Sequence, residues 1–479
     1  MDAVQVFRRA ASRHPDRVVL FDRTDSVTYA EADRHSDAIA ADLDARGIEP
    51  GATVGFSASD RVSLWLSIVG AWKIGALPGL IDARTDPADL PYFVADVDAD
   101  VVAATTDLHE KLTAAGARSV VDIESLGRGD ASAPTDGHDP SSPLYLSYTS
   151  GTTGAPKGAI LESGPVMLGA ACVAERLGLG RDDVVLSITP TASSFQLVAA
   201  FLPAIHAGAS VGLLAGADVD ETWDRARQAG ATVLAAYPLT LSDMVNATDT
   251  SNSPFRMALS GGSPLGPRIK RDYRDKFGIP LVESYGQSEQ GGFMALGRPD
   301  DTSAGAGFAG PPLPDRLTYI GSPDDISELS VGEIGEVLVR EGYFAGYRNK
   351  PDQTAETLAG GVLHTGDLGI ADDDGRIKVL GRTREADAVA RRGGFLREVE
   401  DACYDVDAVK HAAVVESDDG DILAYVEPIE GRDLSDAELA AELGARVSSG
   451  LVPAHAEVLD EMPRTFSGKA DRRALSERR

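Results

Sequence analysis

Tyr148-Thr149-Ser150-Gly151-Thr152-Thr153-Gly154-Ala155-Pro156-Lys157-Gly158 gathers hydroxyls, glycines and a lysine into one loop. Glycines let backbone N–H groups approach phosphate oxygens closely, Ser and Thr hydroxyls add donors, and the lysine brings a mobile positive charge. The composition therefore reads as a cradle for a nucleotide's phosphates, with Thr149, Ser150, Gly151, Thr152, Thr153, Gly154 and Lys157 as candidate contacts. A bland surface loop seldom concentrates these residue types before a Pro-Lys-Gly exit. The common mononucleotide loop needs Gly-Lys followed directly by Ser or Thr, and it opens a helix after a strand. Here Pro156 precedes Lys157 and Gly158 follows it. The flanks differ too: residues 144–148 read as one strand, 159–162 as a second, and a helix starts only after Ser163 with Pro165 in its first turn. A strand–loop–strand phosphate clamp is the expected local structure.

Outward from this loop, short apolar runs alternate with helical stretches. Thr28 and Glu31 form a capping-box pattern, Ile39 and Leu43 share one helical face, and Gly47 followed by Pro50 supplies a stop. Residues 61–74 read as a helix, 101–104 as a buried strand, and 184–188 and 232–236 as further strands. Alternation of this kind argues α/β layers. Residues 127–143, rich in Gly, Ser, Pro and Asp, form a loop leading into the phosphate segment. Residues 368–380 make a strand–turn–strand unit turning at Asp373-Asp374-Gly375, and the charged stretch 383–394 separates it from a new pattern. There, 398–406 suits a helix, 412–416 and 422–426 suit a hairpin around Asp419-Gly420, and Ser435 with Glu438 caps a helix running to about Ser448. The expected fold class is α/β, with a large multi-layer N-terminal α/β domain over 1–382 and a small α+β C-terminal domain over 383–479.

A length of 479 residues allows two or three domains, and 43% hydrophobic content supports ordinary cores. Residues 1–15 carry arginines without an apolar signal core, and no apolar run approaches the ~20 residues of a membrane span, so the chain reads as cytoplasmic. Cys172 and Cys403 stand far apart, which argues against a disulfide framework or cysteine-rich metal site and makes both buried thiols. The formal net charge of −30 repels nucleic acid and anionic membrane surfaces, so neither is an expected partner. The acid is dispersed, in runs such as Asp372-Asp373-Asp374, as on a solvated surface. An anionic protein that binds a polyanion needs local positive sites against its own field, which gives weight to Lys157 and Lys469.

The phosphate loop resembles the signature of the adenylate-forming superfamily of acyl-CoA synthetases, aryl-CoA ligases, luciferases and peptide-synthetase adenylation domains. Further segments similar to that family recur in order: Ser260-Gly261-Gly262-Ser263-Pro264-Leu265, Tyr285-Gly286-Gln287-Ser288-Glu289, His364-Thr365-Gly366-Asp367-Leu368, Gly381-Arg382 and Pro463-Arg464-Thr465-Phe466-Ser467-Gly468-Lys469. With Thr28-Tyr29-Ala30-Glu31 and Gly75-Ala76 the resemblance covers nearly the whole chain. It implies a reaction with ATP, Mg2+ and CoA, in which a carboxylate attacks the α-phosphate while pyrophosphate leaves. Charge on that transition state is best neutralised by metal and lysine. By the resemblance, Glu289 binds magnesium with help from Thr149, Asp367 and Arg382 hold the ribose, and Gly262, Ser263, Tyr285, Gly286 and Ser288 complete the nucleotide site. Lys469 matches the family's catalytic lysine, which bridges substrate carboxylate and phosphate. Taken without the resemblance, Glu289 is a loop acid, Asp367 a turn or cap residue, Arg382 part of a surface turn and Lys469 a solvated side chain. Because Lys469 rides on the small domain, the resemblance implies that this domain is mobile, bringing the lysine in for adenylation and removing it when a thiol enters.

The acid pocket implied by the resemblance draws on Ser193, Ser194, Phe195, Tyr237, Pro238, Gly261, Gly262 and Gly291. Residues 191–197 contain no acid to pair with a substrate ammonium, and burying one unpaired costs several kcal/mol, roughly. A plain carboxylic acid, aryl or aliphatic, is therefore expected in place of an α-amino acid. One segment departs from the family pattern. After Arg382 the path to Gly393-Gly394-Phe395 is longer than usual, and Leu396-Arg397 runs directly into Glu398-Val399-Glu400, so the hinge is open between Glu385 and Asp387. The expected function is an ATP-dependent acid–thiol ligase passing an acyl group to CoA. The alternative acceptor is a carrier-protein phosphopantetheine or another nucleophile. A non-catalytic nucleotide-binding module is the rival of another class, and the joint presence of Glu289, Asp367 and Lys469 argues against it.

Overall fold

The stretch read as a helix over 61–74 forms Val62–Lys73, with Arg61 and Ile74 as its caps. In the computed structural model, which describes residues 1–128, 141–149, 156–247, 253–301, 307–323, 325–465 and 468–478, every residue from 64 to 74 is buried. A helix buried on all sides needs walls on all sides. Among the described residues, the helices Tyr29–Ala45 and Ala3–Arg13 and the strands Thr53–Ser57 and Leu77–Leu80 supply them, and the chain builds two large sheets around this core. In one, Val18–Phe21, Ser210–Leu213, Val184–Ser187, Val233–Ala236, Met257–Ser260 and Leu281–Gln287 lie side by side and parallel, with Ser26–Thr28 and Gly292–Leu296 as antiparallel edges. In the other the order is Gly346–Tyr347, Gly158–Glu162, Pro143–Tyr148, Leu77–Leu80, Thr53–Ser57, Val102–Ala104 and Val120–Asp122.

The layers are joined by aromatic residues. Trp65 stacks on Phe201 with ring centroids 3.8 Å apart, Trp72 Nε1 donates to the Leu144 carbonyl at 2.6 Å, and the Tyr145 hydroxyl donates to the Thr191 carbonyl at 2.6 Å. Truncating a fully buried Trp such as Trp65 to Ala would cost about 3–5 kcal/mol. The one cation on the central helix, Lys73, is buried against Asp33 and Asp37 at 2.6 and 2.7 Å, which keeps its charge paired in the interior. The neighbouring helix Tyr29–Ala45 has the capping box read from Thr28 and Glu31.

A third, antiparallel sheet follows: Thr318–Gly321, Gly335–Val339, Leu363–Ala371 and Ile377–Arg382. Its last two strands are the expected strand–turn–strand unit, with Asp372 Oδ1 accepting from the Asp374 and Arg376 N–H groups in the turn. The smaller C-terminal domain has the helix Leu396–Tyr404, the antiparallel pair Val409–Glu416 and Ile422–Pro428, the helix Asp436–Arg446 capped by Ser435 with Glu438, and His455–Val458 parallel to the second strand. The mixed α/β architecture of a large N-terminal part and a small C-terminal one matches the expectation. The charged stretch after Arg382 is itself ordered, as a 3-10 turn Thr383–Glu385 and a helix Ala386–Arg392 ended by Gly393 at φ 76°. Its alanines favour helix, but only Ala388 of that helix is buried, so no apolar periodicity announces it. Of the two thiols, Cys403 is buried, while Cys172, on the helix Ser163–Arg176, is only partly so, correcting the expectation of two buried thiols. Among the described residues no helix is long and apolar enough to cross a membrane.

Candidate active site

The strands flanking the phosphate loop pair antiparallel, with Tyr148 opposite Gly158. At the mouth of the loop the Thr149 N–H donates to the Lys157 carbonyl at 2.9 Å, and the Lys157 N–H donates to Thr149 Oγ1 at 3.2 Å. These two bonds hold the ends of the loop together, as a strand–loop–strand clamp requires. Ser150, Gly151, Thr152, Thr153 and Gly154 lie outside the described residues. Beside the stem, the strand Leu281–Gln287 ends in the turn Ser288–Gln290, which carries Glu289. Glu289 Oε1 accepts from the Tyr347 hydroxyl at 2.6 Å, and Lys157 Nζ lies 4.3 Å from the centroid of the Tyr347 ring. Tyr347 thus connects the loop lysine to the acid. Burial, and then the charge of Glu289, push the Tyr347 phenol well above its ordinary range, so it remains a donor.

Thr149, Lys157, Gly286, Ser288, Glu289, Arg382 and Lys469 border one cleft of about 700 Å3, together with Gly262, Ser193, Ser194 and Phe195. Between Thr365–Gly366 and Arg382 of that wall, Asp367 is buried at 5% exposure. Its Oδ2 accepts from the Tyr285 hydroxyl at 2.7 Å and from Gln287 Nε2 at 2.6 Å, and its Oδ1 pairs with Arg382 Nη1 at 3.0 Å. Burial pushes the Asp367 carboxyl up, against the pull of Arg382 and these hydrogen bonds. The three sequence motifs that contain Tyr285, Asp367 and Arg382 therefore meet as one hydrogen-bonded unit.

Lys469 reaches this cleft from the far end of the chain. Its turn is closed by Thr465, whose N–H donates to the Lys469 carbonyl at 2.7 Å, and Gly468 takes φ 87°. Lys469 Nζ lies 5.2 Å from the centroid of the Tyr237 ring. Burial, and then the nearby charge of Arg382, lower the Lys469 ammonium to about 8. Gly262, at φ 76°, is the backbone against which the lysine rests: a Cβ there would stand 2.7 Å from Tyr237 Cε1 and 3.1 Å from Lys469 Cε. Phe466 and Ser467 of the same motif lie outside the described residues.

Phe195, Val198 and Phe293 form an apolar stretch of the cleft wall, with the Phe195 and Phe293 ring centroids 5.9 Å apart. Phe195 packs against Tyr237 with centroids 5.4 Å apart, and a Cβ on Gly261 would meet its ring at 2.5 Å. The Ser193 and Tyr237 hydroxyls are 2.6 Å apart. A Cβ on Gly291 would meet Val166 and Leu161, in the core, and Ser263, like Tyr237, Gly261 and Tyr285, does not itself border the cleft. Glycine suits 291 because its φ of 58° turns the chain from the strand Leu281–Gln287 into the edge strand Gly292–Leu296. Glu385 accepts from the Arg382 N–H at 3.4 Å, and Asp387 is exposed in the first turn of Ala386–Arg392.

Sequence reading missed Tyr347, Gln287 as a partner of Asp367, and the pair His364–Glu336, whose Nδ1 and Oε2 are 2.8 Å apart at the cleft wall. His364 and Gln287 lay inside quoted motifs, which was signal enough; Tyr347 and Glu336 carried none. It also missed Asp60, which lies behind the pocket segment 191–196, bonded to the Thr191 hydroxyl and accepting from Gln196 Nε2 at 3.1 Å and the Ala215 N–H at 3.2 Å. Burial raises the Asp60 carboxyl to about 6, against the pull of those bonds. Asp60 does not line the cleft, so it adds no acid beside Phe195, Val198 and Phe293 for an ammonium.

Residues 7–347 match the family model described as AMP-binding enzyme, and residues 398–469 match that of the AMP-binding enzyme C-terminal domain. The chain is similar to the indoleacetate–CoA ligase of Aromatoleum aromaticum, 29% identical over 498 residues with 98% of this chain and 96% of the relative covered. It is similar also to the feruloyl-CoA synthase of an Amycolatopsis species, 28% identical over 477 residues with 96% of each covered. In fold it is similar to a benzoate CoA ligase from Burkholderia xenovorans LB400, with a TM-score of 0.91 at 22% identity over 100% of both chains. An anthranilate CoA ligase in complex with anthranoyl-AMP gives a TM-score of 0.90 at 21% identity, covering 99% of this chain and 96% of the other.

Proposed function

The chain belongs to the AMP-binding enzyme family, and on that premise we propose that it is an ATP-dependent acid–thiol ligase, which activates a carboxylic acid as its acyl adenylate and passes the acyl group to CoA. The observation that carries the reading is the meeting of Lys469 with Thr149, Lys157 and Glu289 around a single cleft. In the first half-reaction a carboxylate oxygen of the acid bonds to the α-phosphorus and the bond to pyrophosphate breaks. Lys469 brings an ammonium to the side where acid and phosphate join, and Lys157 brings one to the phosphate loop. In the second, the thiolate sulfur of CoA bonds to the acyl carbon and AMP leaves. Asp367 and Arg382 bind the ribose, the carboxylate as acceptor and the guanidinium as donor.

Glu289 and Thr149 suit Mg2+, a hard cation that takes one or two protein oxygens and leaves its other positions to phosphate and water. No group of three or more His, Cys, Asp or Glu side chains is placed to hold a metal among the described residues. That sparse donor set suits a metal that arrives with the nucleotide. Bound there, Mg2+ would supply charge neutralisation to the phosphates.

The domain boundary falls after Arg382, with the hinge at Glu385 or Asp387. The apolar wall of Phe195, Val198 and Phe293 favours an aryl acid, and the relatives named above for indoleacetate, ferulate and benzoate support that class. The ATP and CoA it consumes suit a cytoplasmic enzyme. The test is acid-dependent pyrophosphate exchange with indoleacetate, ferulate, benzoate, 4-hydroxybenzoate and sulfoacetate, followed by CoA addition without any protein partner. Thioester and AMP are the expected products. Adenylate formation without CoA thioester, rescued by a pantetheinylated carrier, would replace CoA by a carrier as the acceptor.

A further inference from the structure

Where the helix Pro238–Asn246 meets the C-terminal hairpin, three basic side chains converge on one carboxylate. His411 Nε2 stands 2.7 Å and Lys410 Nζ 3.0 Å from Asp243 Oδ1, and Arg464 Nη2 stands 2.9 Å from Oδ2. Lysine and arginine can only donate, and the His411 ring, fully buried with Nδ1 unpartnered, sets its Nε2 between Asp243 Oδ1 and Arg464 Nη2, the latter at 3.0 Å. Burial would raise the Asp243 carboxyl, but His411, Arg464 and Lys410 hold it well below the usual carboxylate range. Next to it, the Ser242 hydroxyl donates to the Lys410 carbonyl at 2.6 Å. On the other side Lys410 pairs with Glu427 at 2.8 Å, and Glu427 accepts from the Met462 N–H at 2.7 Å. One acid of the large domain thus gathers both strands of the C-terminal hairpin and the segment 462–464.

That segment bears Lys469. Arg464 pairs with Ala470 in an isolated bridge, so it forms the base of the turn that closes from Thr465 to Lys469. The helix that offers Asp243 begins immediately after Tyr237, the ring on which Lys469 rests. Other polar contacts across the boundary reach backbone carbonyls, such as Arg397 to Leu265 at 2.6 Å and Arg268 to Val406 at 2.7 Å, or are longer pairs with exposed acids, Arg271 with Asp405 at 3.6 Å and Arg268 with Asp407 at 4.0 Å. At Asp243, by contrast, losing one charge leaves Lys410 with Glu427 alone and removes the acid that faces Arg464 and the buried His411. We propose that Asp243 is a positioning residue for adenylation, latching the C-terminal domain in the orientation that holds Lys469 in the cleft. The proposal rests on the reading of Lys469 given above. The latch has no role in the thioester half-reaction, for which the lysine must leave.

The experiment compares the two half-reactions in Asp243→Asn, which keeps the shape and removes the charge. Adenylation is read as pyrophosphate exchange with whichever acid of the panel is fastest, and transfer is read as thioester formed from that acid's purified adenylate and CoA. Exchange should fall by about tenfold or more while transfer is unchanged or faster. Arg464→Gln removes a cation from the other side of the latch and should shift the ratio of the two rates in the same direction. A ratio within about twofold of wild type in both variants overturns the proposal. So does a parallel loss of both activities, which is what simple unfolding produces. Lys469→Ala separates the latch from its premise. If that variant keeps exchange, the reading of the lysine fails; if it loses exchange while the Asp243→Asn ratio is unmoved, only the latch fails.

Discussion

Replacing Lys469 by Met should abolish adenylation and at the same time stabilise the protein at neutral pH. The side chain is held where burial and Arg382 lower its ammonium from 10.5 to about 8. At full burial that difference corresponds to a penalty of about 3 kcal/mol. Lys469 is only partly buried, and solvent screening reduces the figure to about 1 kcal/mol. The sign follows from proton counting: between 8 and 10.5 the unfolded lysine binds a proton that the folded one has released, so the penalty is complete below about 8 and disappears as pH rises toward 10.5. Thermal unfolding of Lys469→Met should therefore run about 1–2 °C above wild type at pH 7, with the gap closing by about pH 10. Acid-dependent pyrophosphate exchange should fall by about a hundredfold or more, the scale of a lost electrostatic donor. In the wild type, kcat/KM for exchange should decline as pH rises through about 8, where the free enzyme loses the ammonium. Near-normal exchange in Lys469→Met would refute the catalytic role, and an unchanged or lowered unfolding temperature at pH 7 would refute the strained burial of its charge.

Glu289→Gln should raise the Mg2+ concentration needed for half-maximal exchange with little change in thermal stability, because the amide still accepts from Tyr347; an unchanged Mg2+ titration argues against the role. Asp387→Pro should spare adenylation and slow thioester formation, since proline fits the first turn of Ala386–Arg392 as it stands but resists any hinge rotation there. If Glu385→Pro gives that split instead, Glu385 is the hinge; equal rates in both half-reactions for both variants dismiss this segment as the hinge. Gly262→Ala should cost about 1 kcal/mol or more of stability from its positive φ and also slow exchange by crowding Tyr237 and Lys469, so wild-type exchange in a folded variant contradicts the placement of the lysine.

Much of the architecture is legible because it is written within a few residues of itself. The capping boxes at Thr28 and Ser435, the strands on either side of the phosphate loop and the turn at 372–376 are local patterns, and each appears as read. The ordered motifs likewise locate Glu289, Asp367, Arg382 and Lys469 along the chain. Gly291 shows the limit: Glu289, two residues before it, faces the cleft, but a Cβ at 291 would meet the core, a direction set by the turn into the edge strand Gly292–Leu296. Tyr347 bonded to Glu289, Glu336 to His364 and Asp60 to the pocket segment are pairings across tens of residues or more. The contact of Lys469 with Tyr237 and the convergence on Asp243 span over a hundred and fifty. Local propensity and periodicity specify helices, strands and caps through bonds between near neighbours. Which distant side chains then share a proton or a charge is decided by strand order and by the docking of one domain on the other, and neither is encoded in any short stretch of the chain.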